Sequence, residues 1–294
     1  MHRSGFIALI GRPNVGKSTL LNALVGEKVA IMSGCPQTTR NQIRAVLTLP
    51  DAQAIFIDTP GLHKPKHKLG VSMVKRATET MQQVELICFI VEANYPPGPG
   101  DLYITDILSK VESPVFLILN KTDLVKAEKM REHLILYEKT GTYHDCIALS
   151  AQKGDNVQQL TEKIIEMLPE GPQYYPPEMI TDQPEKFIVA EIIREKIIPL
   201  TRQEIPFSIA VIVEELSTRK DSDLLDVRAE IFVERKSQVG IIVGKGGSLL
   251  KQAGTVARKE LESLFGQKIF LDLRVKVRKD WRNRDEDLRR FGYK

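Results

Sequence analysis

The sequence predicts an α/β protein in two parts, a doubly wound and mostly parallel sheet followed by a smaller α+β domain of order α-β-β-α-α-β. Three observations carry this prediction. Near-continuous runs of Val, Ile, Leu and Phe alternate with helix-periodic stretches through residue 168. Strands apolar on both sides are buried on both faces, as in parallel sheets covered by helices. A Pro-rich stretch, PEGPQYYPPEMITDQP at 169–184, then interrupts the pattern. Beyond it, helix and strand spacings return in a different order, with a GKGG turn between two helices.

The strands of the first part read as FIALI (6–10), RAVLTL (44–49), AIFID (54–58), LICFIV (86–91), VFLILN (115–120) and CIALS (146–150). A helix at 156–167 follows, and the prolines after it prevent its continuation and mark a semi-rigid linker. Next come a helix at 187–198 and strands at 205–216 and 225–234, joined by the polar turn TRKDSD. A short helix at 237–243, GKGG at 244–247, a long helix at 248–265 and a strand at 268–277 complete the order. The expected boundaries are therefore 1–168, a linker at 169–184, and 185–294 with a basic tail.

A chain of 294 residues is long enough for two cores, and 42% hydrophobic with 27% charged residues is ordinary for a soluble protein. The longest apolar run, LICFIV, is far too short to span a bilayer. The N-terminal apolar stretch runs straight into a Gly-rich loop, so a cleaved signal is not expected and a cytoplasmic location is. Cys35, Cys88 and Cys146 are odd in number and lack CxxC spacing, which argues against a disulfide framework or zinc. His63 and His67 are four apart, but Pro65 breaks the helix that would align them. From Arg274 onward nine Lys/Arg face four Asp/Glu, a net +5 that exceeds the +4 of the whole chain. Such an end suits a polyanion or is simply a solvated tail.

GRPNVGKS at 11–18, between an apolar strand and a helical stretch, has the form of a phosphate-cradling loop, which makes the first part a P-loop NTPase fold. Backbone N–H groups and the helix N-terminus converge on one spot there. Gly11 and Gly16 permit close approach, with Arg12, Pro13, Asn14, Val15 and Thr19 completing the loop. Lys17 reaches the β- and γ-phosphates and Ser18 can bind Mg²⁺. In DTPG, Asp58 suits the carboxylate behind Mg²⁺, Thr59 and Pro60 continue the turn, and the Gly61 N–H can meet a γ-phosphate. Thr39 or Thr38 of PQTTR supplies the hydroxyl that completes the Mg²⁺ shell, and Thr39 is preferred.

NKTD closes the strand at 115–120. A carboxylate at Asp123 can accept from both N1–H and the 2-amino group of guanine, whereas adenine would leave it unpaired. Asn120 suits purine N7 and the local backbone, the Lys121 stem can lie across the base, and Leu124 follows. Ser150–Ala151 would bring a backbone N–H to guanine O6. These residues predict GTP and GDP as ligands.

In the second part, GKGG lies between an apolar and an amphipathic helix, as in KH domains that clamp about four nucleotides of single-stranded RNA. Gly244, Gly246 and Gly247 admit the RNA backbone and Lys245 adds charge. Arg274, Lys276, Arg278, Lys279 and Arg282 are expected to extend a basic face. Trp281 either stacks on a base or packs the tail onto the domain.

These elements in this order resemble the translation-factor-like GTPases. GRPNVGKS, TTR and DTPG followed by an apolar residue resemble the bacterial Era family, in which a KH type-2 domain follows the GTPase domain. The resemblance covers Gly5 to about Trp281. It implies a GTP-hydrolysing switch, with Lys17, Thr39, Gly61 and Asn14 as its catalytic set. The implied partners are the 3′ end of small-subunit ribosomal RNA and the small subunit during its maturation. It further implies a monomer, with a peripheral contact at the cytoplasmic face of the membrane. Leu62 stands where Ras-type enzymes place the glutamine that orients water, so hydrolysis needs help from outside. In the family that help can be a monovalent cation such as K⁺ with the phosphate-loop asparagine, here Asn14, as ligand. Loop hydrogen bonding is the alternative role for Asn14. A non-enzymatic RNA-binding module with a structural nucleotide is the competing function.

Overall fold

A computed structural model describes residues 1–32, 39–63, 65, 67–201, 204–219 and 222–293; Cys35 and Thr38 lie outside them. The described residues form two compact units, the first ending at Asp182 and the second beginning at Gln183, except that His67–Leu69, at the start of the helix Lys68–Met81, group with the second. The first carries β1 (Arg3–Gly11), α1 (Lys17–Val25), β2 (Ile43–Leu49), β3 (Ala52–Asp58), α2 (Lys68–Met81), β4 (Leu86–Glu92) and α3 (Pro99–Leu108). It continues with β5 (Val115–Asn120), α4 (Ala127–Glu138), β6 (Asp145–Ala148) and α5 (Val157–Met167).

Its sheet has the order β2-β3-β1-β4-β5-β6, with β2 antiparallel to β3 and every other pair parallel. Alternation along β1 explains the two layers of helices. Ala8 and Ile10 point into a core shared with Ala77 and Met81 of α2, Ile104 and Leu108 of α3, and Tyr137 of α4. Ile7 and Leu9, equally buried, point the other way, the side on which α1 and α5 pack. β1 sits between β3 and β4, so the order reverses beside it, and a crevice opens at the carboxyl ends of these strands.

The Pro-rich stretch is not a free linker through most of its length. Residues 169–182 form a strap stitched to the first unit. Its prolines cannot donate, but their carbonyls accept: Ser4 N–H bonds Pro169 O at 3.0 Å and Ser4 Oγ bonds Pro172 O at 2.7 Å. Buried Gln53 accepts the N–H groups of Tyr174 and Tyr175 and donates to Tyr175 O. At the open edge of β2, Val46 N–H bonds Ile180 O at 2.8 Å and Thr181 Oγ1 bonds Arg44 O at 2.6 Å.

The second unit carries α6 (Glu185–Ile197), α7 (Ile205–Ser208), β7 (Ala210–Thr218), β8 (Leu224–Val233), α8 (Lys236–Val243), α9 (Ser248–Phe265), β9 (Lys268–Val277) and α10 (Asp285–Arg290). β8 pairs antiparallel with β7 and parallel with β9. One face of this sheet packs on α6, α8 and α9 through Val227, Ile231, Ile193, Ile242, Ala253 and Leu261. The strand expected from residue 205 begins only at Ala210, because Pro206 starts a helical turn over Ile205–Ser208.

Candidate functional site

The phosphate loop leaves β1 at Gly11 and enters α1 at Lys17. Its glycines are required by neighbours. A Cβ on Gly11 would stand 2.4 Å from Ile90 O, and one on Gly16, at φ +96°, would stand 2.2 Å from Asn120 Nδ2. The buried Lys17 ammonium spans the loop, donating to Gly11 O at 3.3 Å and Arg12 O at 3.0 Å. Burial lowers its pKa to about 8 against the opposing attraction of Asp58. A bound phosphate favours the charged form. Nucleotide binding near pH 8.5 is therefore expected to take up a proton at Lys17, an uptake that fades below about pH 7. Calorimetry in buffers of different ionisation enthalpy measures it, and a buffer-independent heat near pH 8.5 would exclude Lys17 as the coupled group.

Three oxygen-bearing side chains converge beside this lysine. Ser18 Oγ donates to Asp58 Oδ2 at 2.6 Å, Thr39 Oγ1 does so at 3.1 Å, and the two hydroxyls are 2.9 Å apart. Asp58 is fully buried and its Oδ1 has no hydrogen-bond partner, while burial raises its pKa. Hard oxygen donors around an orphaned carboxylate oxygen fit Mg²⁺. Thr39, the preferred threonine, belongs to this cluster, and Thr38 lies outside the described residues. The 58–61 turn lies against the phosphate loop: a Cβ on Gly61 would stand 2.6 Å from Pro13 N, and Thr59 Oγ1 bonds Leu9 O at 2.8 Å.

Asn120 ties three loops together. Its Nδ2 donates to Val15 O at 2.9 Å, and its Oδ1 accepts from Lys121 N at 2.8 Å and Ala151 N at 3.0 Å. Of the Ser150–Ala151 pair expected to bring an N–H to guanine O6, the Ala151 N–H is engaged by Asn120 and the Ser150 N–H by Asp155 O at 3.1 Å in this structure. Asp123 is exposed, and Ser150 Oγ donates to its Oδ1 at 2.6 Å. Lys121 Nζ donates to Asn14 O at 2.7 Å. Leu124 is 62% exposed.

In the second unit, Gly244, Gly246 and Gly247 have φ of +73°, +59° and +79°. A Cβ on Gly244 would press on Leu249, so this glycine serves packing. Gly246 and Gly247 face open space within 4 Å, and Lys245 is exposed between them and Gly244. The turn has room for a backbone phosphate.

Comparison with known proteins meets this geometry at both ends. Residues 6–121 match the family described as 50S ribosome-binding GTPase, and residues 204–282 match the KH domain family. The GTPase Era of Alkaliphilus oremlandii is 52% identical over 291 residues, covering 99% of both chains. The chain belongs to the GTPase Era family. The GTPase Era of Caldanaerobacter subterraneus is 51% identical over 99% of this chain and 98% of its own. A crystal structure of Era in complex with MgGDPNP and nucleotides 1506–1542 of 16S ribosomal RNA matches with a TM-score of 0.97 and 40% identity, covering 100% of this chain and 99% of that one. A single-residue variant of Aquifex aeolicus Era bound to GDP·AlF4⁻ matches with a TM-score of 0.95 and 40% identity over 99% of each chain.

Several site expectations for this Era-family chain need correction. The Leu62 side chain is buried in the core and its N–H bonds Gly11 O at 3.1 Å, so its side chain lies away from the nucleotide loops. The Arg12 guanidinium bonds Asp101 Oδ1 through Nε at 2.7 Å, which turns that edge of the side chain away from the phosphate loop. Trp281 is fully buried, donates to Ser208 O at 2.9 Å and packs on Phe291 and Tyr293, so it is core and not a base-stacking platform. The basic residues expected to form a face near it are each paired with acidic neighbours, Lys279 excepted. On β9, Ile269, Leu271, Leu273 and Val275 face the helices, which turns Arg274 and Lys276 to the opposite side, paired with Asp272 and Glu230. Arg278 pairs with Asp287 and Arg282 with Glu234, whereas Lys279 is exposed. Reading the sequence passed over Arg235, Lys236, Ile241 and Lys251, all exposed on or beside the two helices that flank GKGG. Their proximity to that turn along the chain was the available signal.

Proposed function

We propose that the chain hydrolyses GTP with Mg²⁺ and binds single-stranded RNA through its KH domain, at the 3′ end of small-subunit ribosomal RNA, during maturation of that subunit. The observation that carries the enzymatic part is the convergence of Ser18, Thr39 and Asp58 beside Lys17. Ser18 and Thr39 would hold Mg²⁺, with Asp58 behind them. The metal, when bound, neutralises charge that builds on the phosphate oxygens. Lys17 and the loop N–H groups hold the β- and γ-phosphates, Gly61 brings a backbone N–H to the γ-phosphate, and Asp123 selects guanine. The RNA part follows the GKGG turn and the relative seen with ribosomal RNA. Cytoplasmic action belongs to this reading. A membrane contact would be peripheral, since no helix among the described residues is long and apolar enough to cross a bilayer.

With Leu62 buried in the core, turnover without a partner is expected to be slow. Multiple-turnover phosphate release, with and without RNA and in K⁺ or Na⁺, tests the reading. Repeated turnover that quickens with RNA supports an RNA-linked GTPase. A single bound nucleotide that never turns over would make the nucleotide a structural ligand. If Asn14 holds a monovalent cation, turnover is expected to fall when Na⁺ replaces K⁺, and equal rates leave Asn14 its loop role alone.

A further inference from the structure

Four charged side chains lie between the phosphate loop and the guanine loop, and the reaction described above does not use their charges together. Glu92 is the last residue of β4 and pairs in register with Asn120, so its carboxylate emerges where the loops after β1 and β5 meet. One carboxylate oxygen forms an ion pair with Lys121, and the other lies 3.9 Å from Arg12 Nη2. Arg12 is held from its far side by Asp101, whose Oδ2 accepts from Gly98 N at 2.9 Å and Tyr137 Oη at 3.3 Å. One cation therefore comes from each nucleotide loop, and Glu92 stands between them. Its side chain is only 17% exposed, so the pairing is screened less than on an open surface.

The backbone shows what this pairing restrains. Asn14 and Lys121 both have left-handed φ, +67° and +66°, a region that non-glycine residues occupy when their surroundings hold them there. These two residues are joined directly, by the 2.7 Å bond from Lys121 Nζ to Asn14 O, and Glu92 fixes the ammonium that makes it.

We propose that Glu92 is a positioning residue for the guanine nucleotide: by holding Lys121 against Asn14 O and lying beside Arg12, it sets the spacing of the two loops that grip phosphate and base. It acts through Lys121 and touches no reacting atom. Its loss loosens both nucleotides alike and leaves the Ser18, Thr39 and Asp58 cluster undisturbed. The inference rests on the guanine-nucleotide reading.

Glu92→Gln keeps the side-chain shape and removes the charge, and Glu92→Asp keeps the charge on a shorter stem. Release of a fluorescent GDP from Glu92→Gln is expected to be about tenfold faster, with KM for GTP raised by a similar factor and kcat within about twofold of wild type. Glu92→Asp is expected to recover part of the loss, which a role in mere loop packing would not give. In a Lys121→Ala background, Glu92→Gln is expected to add less than about twofold. Unchanged GDP release in Glu92→Gln overturns the proposal, as does an undiminished effect once Lys121 is gone. Failure of the underlying reading looks different, as wild-type protein would then hold GDP no tighter than ADP.

Discussion

Asp123→Asn is expected to weaken GTP binding roughly 100-fold or more and to confer binding of xanthosine triphosphate. A carboxylate offers acceptors only, and guanine presents two donors, N1–H and the 2-amino group, to one side. An amide puts a donor where one acceptor stood, which suits the carbonyl that xanthine has in place of the amino group. Ser150 Oγ, 2.6 Å from Asp123 Oδ1, orients the carboxylate before any base arrives. Because Asp123 is exposed, its replacement disturbs no core, so a change in affinity reports recognition rather than folding. Competition between GTP and xanthosine triphosphate gives the answer, and unchanged GTP affinity would remove the account of base choice.

The second large effect lies in the GKGG turn. Lys245→Asp combined with Gly246→Asp is expected to cost at least roughly 100-fold in RNA affinity, about 2.8 kcal/mol, by placing two carboxylates where a phosphate backbone must come into contact. The fold should tolerate the change. A Cβ on Gly246 meets nothing within 4 Å, and its φ of +59° lies in the region that Asp enters more readily than most residues. GTP turnover in the absence of RNA is expected to match wild type. Titration with RNA at matched salt is the measurement. Wild-type affinity would mean that the turn only joins α8 to α9 and that exposed cations such as Lys236, Lys251 and Lys279 carry the RNA.

What could be read from the sequence was what local chemistry dictates. β5 and β9 run from Val115 to Asn120 and from Lys268 to Val277, the bounds their patterns predict, because a sustained apolar run in β5 and strict alternation in β9 leave little choice of element. The phosphate loop, DTPG and NKTD were legible because each needs glycine, lysine or a carboxylate at fixed offsets. The contacts that escaped reading join distant residues. Arg12 reads only as part of the nucleotide loop, and nothing in the sequence shows that Asp101, 89 positions away, bonds its guanidinium. A tail with nine cations reads either as a polyanion site or as a solvated end. Its alternating strand pattern settles which face each cation occupies, but not that Asp272 and Glu230 neutralise that face. Trp281 could be weighed both ways until Ser208 O supplied a buried partner for its indole N–H.

The strap over residues 169–182 bears on self-association. β2 is a terminal strand of its sheet, and an uncovered terminal strand offers a row of backbone groups to any extended peptide. Here the bond from Val46 N–H to Ile180 O and that from Thr181 Oγ1 to Arg44 O occupy part of that row. A proteolytic cut after residue 168 would uncover it and leave Gln53, buried in the intact protein, without the Tyr174 and Tyr175 groups it bonds. Such a fragment would be prone to recruit strands from its own copies into larger aggregates. One ending at 182 would keep its own cover and stay dispersed.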